Sequence, residues 1–505
     1  MQIEPQAAAF AKRYAQGDAQ VVWTTLVADL ETPVSAFLKI ADGRPMSFLL
    51  ESVEGGAVRG RYSIIGLEPD LIWRTVAGRA EINRSPRQAA DGFTPCKEAP
   101  LAALRTLLAE SRIALPDALP PMAAGIFGYL GYDMVRLVEE LPAPNPDPIG
   151  IPDAILVRPT VVVVFDAVQD TITLVTPVRP EKSVSASAAL ARANERLNAI
   201  VDALDRPLDH SAAQMTAGPL TVLPGSNTTP AEYERMVHAA KEYIAAGDVF
   251  QVVLSQRFEA PFELPPFALY RALRRVNPSP YLYFLDFGDF AVAGSSPEIL
   301  VKVSGGTVTI RPIAGTRPRG PTPHEDIALE AELLADPKER AEHLMLLDLG
   351  RNDVGRVARV GTVKVTDQFF VERYSQVMHI VSNVEGVLAE PHDAIDALAA
   401  GFPAGTVSGA PKVRAMEIID ELEKEKRGLY AGSVGYFSAA GEMDTAIVLR
   451  TALIKDGVMY VQAGAGIVAD SDPKSEQQEC VNKAKALFRA AEEARRFASA
   501  ARRGQ

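Results

Sequence analysis

Two short stretches carry the residues best suited to chemistry. DPKERAEH, from Asp336, and DPKSEQQE, from Asp472, each set two glutamates three residues apart: Glu339 with Glu342, and Glu476 with Glu479. Residues i and i+3 share one face of a helix. The first face continues into Leu346 and Leu349, the second through Lys483 into Ala486, Leu487 and Ala490. A carboxylate heading an inward face needs a cation or hydrogen-bond donors. Four of them from two helices suit a hard divalent ion with oxygen ligands, typically Mg²⁺. A di-iron bundle would need Glu-x-x-His; here Arg340 stands three residues before His343. Each pair also has an ordinary reading, since glutamates in a first turn complement the helix dipole and Glu339 suits the third position of a capping box.

The elements that must position these pairs are legible nearby. Asp336 and Asp472 are good N-caps, and the proline after each is preorganised for a first helical turn. Apolar residues then recur at helical spacing, predicting helices near 337–349 and 475–497. Further helices are expected near 100–113, 186–205, 392–399 and 410–424. TPAEYERMVHAAKEYIAAGD predicts a helix capped by Thr229 or Thr228 and opened by Pro230. Strands are expected at 249–257, 281–286, 289–293, 299–303, 307–312, 431–438, 444–453 and 458–464, with a hairpin in RPTVVVVFDAVQDTITLVTPV. Hairpins and helices do not alternate strictly, so the expected class is α+β with large antiparallel sheets. Residues 206–229 mix Pro, Gly, Ser and Thr without periodicity, and predict a linker between an N-terminal domain (1–205) and a second domain (230–497).

Three further segments suggest an anion pocket. AGAGI, with Gly464 and Gly466, ends a strand shortly before the second glutamate helix and lets backbone N–H groups approach an anion. FPAGTVSGAPK offers the hydroxyls of Thr406 and Ser408. TAIVLRT puts Arg450 in an otherwise apolar strand, where an inward guanidinium wants a carboxylate or phosphate. Two classes stay open here: a metal-dependent phosphate enzyme, or an enzyme acting on a polycarboxylate. No Walker-type loop is present, which favours the carboxylate.

Composition narrows the field. A net charge of −12 gives a nucleic-acid role no support. No apolar run reaches the length of a membrane span. Cys96 and Cys480 are too few for a disulfide framework or a zinc site, and with no secretory signal the expected location is the cytoplasm.

GDVFQVVLSQR, GSSPEILV, RPIAGTRPRG, KERAEHLMLLDLGRNDVGRV, FPAGTVSGAPK and VQAGAGIVADSDPKSEQQECVNKA stand in order between 247 and 484 and resemble the chorismate-binding family. LLES, RYSIIG and GYDMVR resemble the N-terminal domain of that family's anthranilate-forming branch. The resemblance implies an α+β fold of two large, mainly antiparallel sheets packed as a sandwich with flanking helices. It implies that Glu339, Glu342, Glu476 and Glu479 form a Mg²⁺ shell for the ring carboxylate of chorismate, with Lys483 beside it. Tyr430, Arg450, Gly464 and Gly466 would hold the enolpyruvyl carboxylate. Glu298 would protonate the departing C4 hydroxyl, and His379 and Thr406 would touch the ring. Outside that context Glu298 reads as an ordinary loop carboxylate and His379 as a core histidine.

Two positions separate the branches of the family. Relatives that use water as nucleophile carry Lys where this chain has Gln251, and Gln is no base at neutral pH. Relatives that form aminodeoxychorismate carry Lys in the stretch that here reads Ala314, Gly315, Thr316. Without either lysine, ammonia itself is expected to attack C2, with loss of the C4 hydroxyl and then of pyruvate to give anthranilate. Neither cysteine has the setting of a glutamine-hydrolysing nucleophile, so a separate glutamine amidotransferase subunit is the expected ammonia source. Glu51, Ser52, Arg61, Pro280, Tyr281 and Leu282 resemble a feedback site for L-tryptophan. The alternatives are an aminodeoxychorismate-forming enzyme and a catalytically degenerate tryptophan sensor.

Overall fold

The computed structural model describes residues 2–54, 58–208, 224–374 and 377–499. Every strand ladder among them is antiparallel. Strand Ala154–Asp166 is rich in apolar, β-branched residues, interrupted by Arg158 and Thr160, and is buried along its whole length, as expected of a strand covered on both faces. Its partner, Val58–Val76, is nineteen residues long. These two strands run through both sheets. Their register shifts between Pro69 and Leu71, just after Glu68 adopts a φ of +52°. This irregularity marks the passage from one sheet to the other.

On one side of it, 58–67 and 161–166 belong to a first sheet. That sheet continues through Ser47–Glu54, Tyr281–Asp286, Phe290–Ser296, Thr451–Lys455, Val458–Ile467 and Gln251–Pro261. On the other side, 71–75 and 154–158 belong to a second sheet. It continues through Gly125–Leu130, Ser433–Ser438, Met443–Ile447, Ile299–Ser304, Thr307–Ile310 and Val377–Val387. The expected sandwich is present, with its two sheets joined by a shared ladder. Strands from either side of 206–229 share each sheet; Ser47–Glu54 pairs with Tyr281–Asp286, and Gly125–Leu130 with Ser433–Ser438. Of that expected linker, 209–223 lie outside the described residues.

The sandwich interior holds Phe48, Ile64, Tyr283 and Val292 from the first sheet against Phe127, Tyr129, Val434 and Tyr436 from the second. Phe48 stacks on Phe127 with ring centroids 4.6 Å apart. Each such fully buried aromatic contributes roughly 2–3 kcal/mol. Helices cover the outer faces. Ala186–Leu204, Pro266–Val276 and Pro473–Ser499 pack on the first sheet, and Pro100–Glu110, Pro337–Gly355 and Ala394–Gly401 on the second. Helix Pro230–Ala246 begins with a capping box between Thr229 and Glu232. Among the described residues no helix is long and apolar enough to cross a membrane.

The sequence reading missed several elements: the strands Gln20–Val27, Gly125–Leu130, Lys364–Arg373 and Val377–Val387, and the helix Pro323–Ala335. The strand expected over 444–453 is two strands, Met443–Ile447 and Thr451–Lys455, and Arg450 sits in the break with a φ of +48°. Arg450 is therefore not a strand residue. Its carbonyl still accepts from the Ser295 N–H at 3.1 Å, and its left-handed backbone falls where the strand pairing breaks.

Candidate active site

Strands Gln251–Pro261 and Val458–Ile467 form one wall. Their register sets Val253 opposite Gly466 and Ser255 opposite Gly464, so Gln251 lies on the same face as the two glycines. A Cβ on Gly464 would stand 2.8 Å from both the Leu254 carbonyl and the Tyr430 hydroxyl, and one on Gly466 would stand 2.4 Å from Gln251 Nε2. Glycine at both positions lets Tyr430 and Gln251 lie directly on the strand. Gln251 is buried, and its Oε1 is without a hydrogen-bond partner.

Glu298 follows strand Phe290–Ser296, whose end is held by Ser296 Oγ donating to the Ile447 carbonyl at 2.6 Å. The Glu298 side chain is 6% exposed, and its carboxylate accepts from Thr406 Oγ1 at 3.1 and 3.2 Å. Burial pushes its pKa up to about 8, against the opposing pull of Thr406, the Ile313 N–H and the charge of Arg450. At neutral pH this carboxyl carries a proton. Arg450 makes no ion pair or side-chain hydrogen bond among the described residues. Burial lowers its pKa from the usual value, and Tyr374 and Glu298 partly offset this.

His379 is buried with Nδ1 2.9 Å from the Gly315 carbonyl and 3.1 Å from Thr316 Oγ1. A carbonyl only accepts, so Nδ1 carries the proton and Nε2 is left as an acceptor. Burial lowers this imidazole to about 4, opposed by the Gly315 bond and reinforced by Arg450 and Lys483. His379 is therefore neutral. The edge of its ring meets Tyr374, with centroids 5.4 Å apart.

The segment bearing Ala314, Gly315 and Thr316 joins this group to the glutamates. Gly315 has a φ of +71°, and a Cβ there would stand 3.2 Å from Glu339 Oε2. Asp336 caps the first glutamate helix, accepting from the N–H groups of Lys338 and Glu339. Asp472 opens the second by accepting from Ser475. The two starts face each other. Glu342 is raised by burial and by the charges of Glu339 and Glu479, and Glu476 by burial and Glu479. The pairs are less deeply set than their apolar stripes imply: Glu339, Glu342 and Glu476 are half-buried and Glu479 is exposed. They lie at the helix starts instead of entering the core. Glu339 pairs with Arg317 at 3.1 Å and Glu479 with Lys483 at 2.7 Å, while Lys483 Nζ also donates to the Gly464 carbonyl at 2.9 Å. Among the described residues no three His, Cys, Asp or Glu converge closely enough to hold a metal ion as they stand.

The residues expected for feedback lie elsewhere, on the first sheet. Ser52 pairs with Tyr281 and Glu51 with Leu282. Glu51 is buried and already engaged, by Arg274 at 2.6 and 2.8 Å and by the Tyr270 hydroxyl at 2.5 Å. Ser52 Oγ donates to the Tyr62 carbonyl at 3.2 Å, and Arg61 faces Asp166 at 2.9 Å. Pro280 is half-buried beside Ser279, whose buried hydroxyl has no partner, and the buried Asn277 Nδ2 also has none. The sequence points to Pro280, Tyr281 and Leu282 here but marks neither Asn277 nor Ser279. Nor does it mark Arg274, Tyr270, Arg317 or Tyr374; no spacing marks residues that meet the site only through the fold. Neither cysteine is a ready nucleophile: burial raises Cys96, and pushes Cys480, which lies 3.1 Å from the Tyr233 hydroxyl, up to about 11.

A family model described as "chorismate binding enzyme" matches residues 68–489. A protein named "Anthranilate synthase component 1" from Cereibacter sphaeroides is 58% identical over 498 residues, covering 98% of this chain and 99% of its own. Its namesake from Pseudomonas putida is 50% identical, with 92% and 93% covered. The crystal structure of anthranilate synthase component I from Streptococcus pneumoniae superposes with a TM-score of 0.74 at 38% identity, covering 92% of this chain and 98% of that one. The menaquinone-specific isochorismate synthase of Escherichia coli, at 21% identity and a TM-score of 0.69, covers 96% of this chain and 100% of its own and shares the fold.

Proposed function

Because the chain belongs to the chorismate-binding enzyme family, we propose that it aminates chorismate at C2 with ammonia and releases anthranilate and pyruvate, as the large subunit of an anthranilate synthase. What supports this reading is the buried Glu298 carboxyl, which burial pushes to about 8, within the field of Arg450, whose guanidinium has no ion-pair partner among the described residues. Arg450, Tyr430 and the Gly464–Gly466 backbone bind the enolpyruvyl carboxylate and orient the ring. Ammonia forms a bond to C2, the ring double bonds shift, and the C4–O bond breaks. Glu298 gives its proton to that oxygen, so water leaves instead of hydroxide. The aminated ring then loses the hydrogen on C2 and pyruvate from C3, and becomes aromatic. His379, neutral and fixed by Gly315, offers Nε2 to the ring substituents as an acceptor. Gln251 supplies no base for water, and Ala314 supplies no amine, so the attacking group comes from outside the chain.

Glu339, Glu342, Glu476 and Glu479 fit Mg²⁺ by their chemistry: hard oxygen donors, of which Glu342 and Glu476 are raised by burial first and by neighbouring glutamate charge second. A bound Mg²⁺ would supply the counter-charge for the ring carboxylate. The inert settings of Cys96 and Cys480 support ammonia delivery by a glutamine amidotransferase subunit. The unpartnered groups of Asn277 and Ser279 beside Ser52 and Tyr281 support a tryptophan site there, in which Glu51 acts together with Arg274. A cytoplasmic location agrees with this chemistry.

The test is to incubate the purified chain with chorismate, Mg²⁺ and ammonium at alkaline pH and identify the product. Fluorescent anthranilate is expected. Isochorismate or aminodeoxychorismate as the sole product would refute the assignment, as would turnover of glutamine by the single chain in place of ammonium.

A further inference from the structure

We infer that the buried pair Glu423–Arg427 is a positioning element for the substrate pocket, holding the Thr406 turn, the Gln251 strand and the Tyr430 wall in fixed relation; this rests on the pocket assignment above. The two side chains are 5% and 1% exposed. Glu423 caps the C-terminal end of helix Lys412–Leu422, and Arg427 lies beyond it, so their spacing is not that of a pair on a helix surface. Arg427 donates to Glu423 through Nε at 3.0 Å and Nη2 at 2.6 Å. Its other donors reach the Val407 carbonyl at 2.7 Å and the Val253 carbonyl at 2.6 Å. Glu423 Oε1 accepts from the Ser255 N–H at 2.8 Å and from Ser255 Oγ at 2.9 Å. The guanidinium also faces the rings of Tyr132 and Tyr430, 4.9 and 5.4 Å from their centroids.

Each of these contacts lands next to a site residue. Val407 follows Thr406, whose hydroxyl holds Glu298. Val253 and Ser255 follow Gln251 on its strand, and Ser255 Oγ also accepts from Gln462 Nε2 at 2.8 Å, which extends the brace to the strand of Gly464. Stability alone is a weak account of such a pair, because well-packed apolar residues often replace buried ions without loss. Apolar residues cannot clamp two carbonyls and a backbone N–H drawn from separate segments. A planar guanidinium fork can, and a lysine cannot.

Two variants test this: Arg427→Lys, which keeps the charge balance, and the double variant Glu423→Leu with Arg427→Met, which removes it. Both are checked for folding by circular dichroism, then assayed with ammonium and chorismate across pH. The folded variants are expected to lose about tenfold or more in kcat/KM for chorismate, with KM rising. The alkaline midpoint of activity is expected to move upward, because a released Thr406 hydroxyl no longer favours ionised Glu298. A purely structural brace would lower the melting temperature and leave KM and that midpoint alone. Arg427→Lys with parental KM and pH profile overturns the inference, even if the double variant does not fold. A parent enzyme that makes no anthranilate refutes the reaction assignment instead, so the two failures are distinct.

Discussion

Glu298 and Glu51 are equally buried, each 6% exposed, yet their surroundings prepare them for opposite tasks. Among the described residues Glu298 has a threonine hydroxyl, one backbone N–H and the charge of Arg450 but no ion pair, and burial lifts it to about 8. Glu51 has a bidentate arginine and a tyrosine hydroxyl. Exposure does not tell a proton donor from a structural anion; the presence of a paired cation does. The first carboxyl is available to give up a proton, and the second ties strand Ser47–Glu54 to helix Pro266–Val276.

Four measurements bear on this contrast. Glu298→Gln swaps a protonated acid for an amide of the same shape, so kcat should fall about 10²–10⁴-fold while the melting temperature holds; a variant near parental rate would remove the acid role. Glu51→Gln leaves the half-buried guanidinium of Arg274 without its counter-ion, and urea unfolding should show a loss of about 2–4 kcal/mol with ammonia-dependent kcat nearly unchanged in the folded fraction. The reverse pattern, an unstable Glu298→Gln and a stable Glu51→Gln, would invert the comparison. Third, the neutral form of Glu298 is the working one. The rate per free NH₃ should therefore hold up to about pH 8 and fall roughly tenfold per unit above it; a profile flat through pH 10 contradicts this. Fourth, Ser52→Phe should leave turnover intact and weaken tryptophan inhibition, read as a higher half-inhibiting concentration; unchanged inhibition would place the feedback site away from the strand pair Ser52–Tyr281.

Local chemistry was readable from the chain. Asp336, Asp472 and Thr229 cap helices where their side chains predict it, because a cap depends on residues within three positions. Glu339 and Glu476 therefore fall in the first turns of their helices, with Glu342 and Glu479 one turn further on. What the chain did not reveal depends on distant partners. Arg450 follows four apolar residues, Ala446 to Leu449, that read as a continuing strand, and only the fold shows the break at Arg450. Arg274 reaches Glu51 across 223 positions. Glu423 and Arg427 sit in ELEKEKRGLY, a run of alternating charges that reads as solvated surface. The helix ends there, and two of those charges turn inward.

The ladder shared by the two sheets bears on how the chain is born. Ser47–Glu54 and Gly125–Leu130 leave the ribosome first, but their partners Tyr281–Asp286 and Ser433–Ser438 come much later. At about 5–20 residues per second, the wait for the last partner is roughly 15–60 s. Through that interval the nascent N-terminal half presents two open strand edges flanked by apolar surface, the features that invite pairing with a neighbouring chain. The yield of such a chain should depend on how well neighbouring chains are kept apart during that interval, long before its active site is complete.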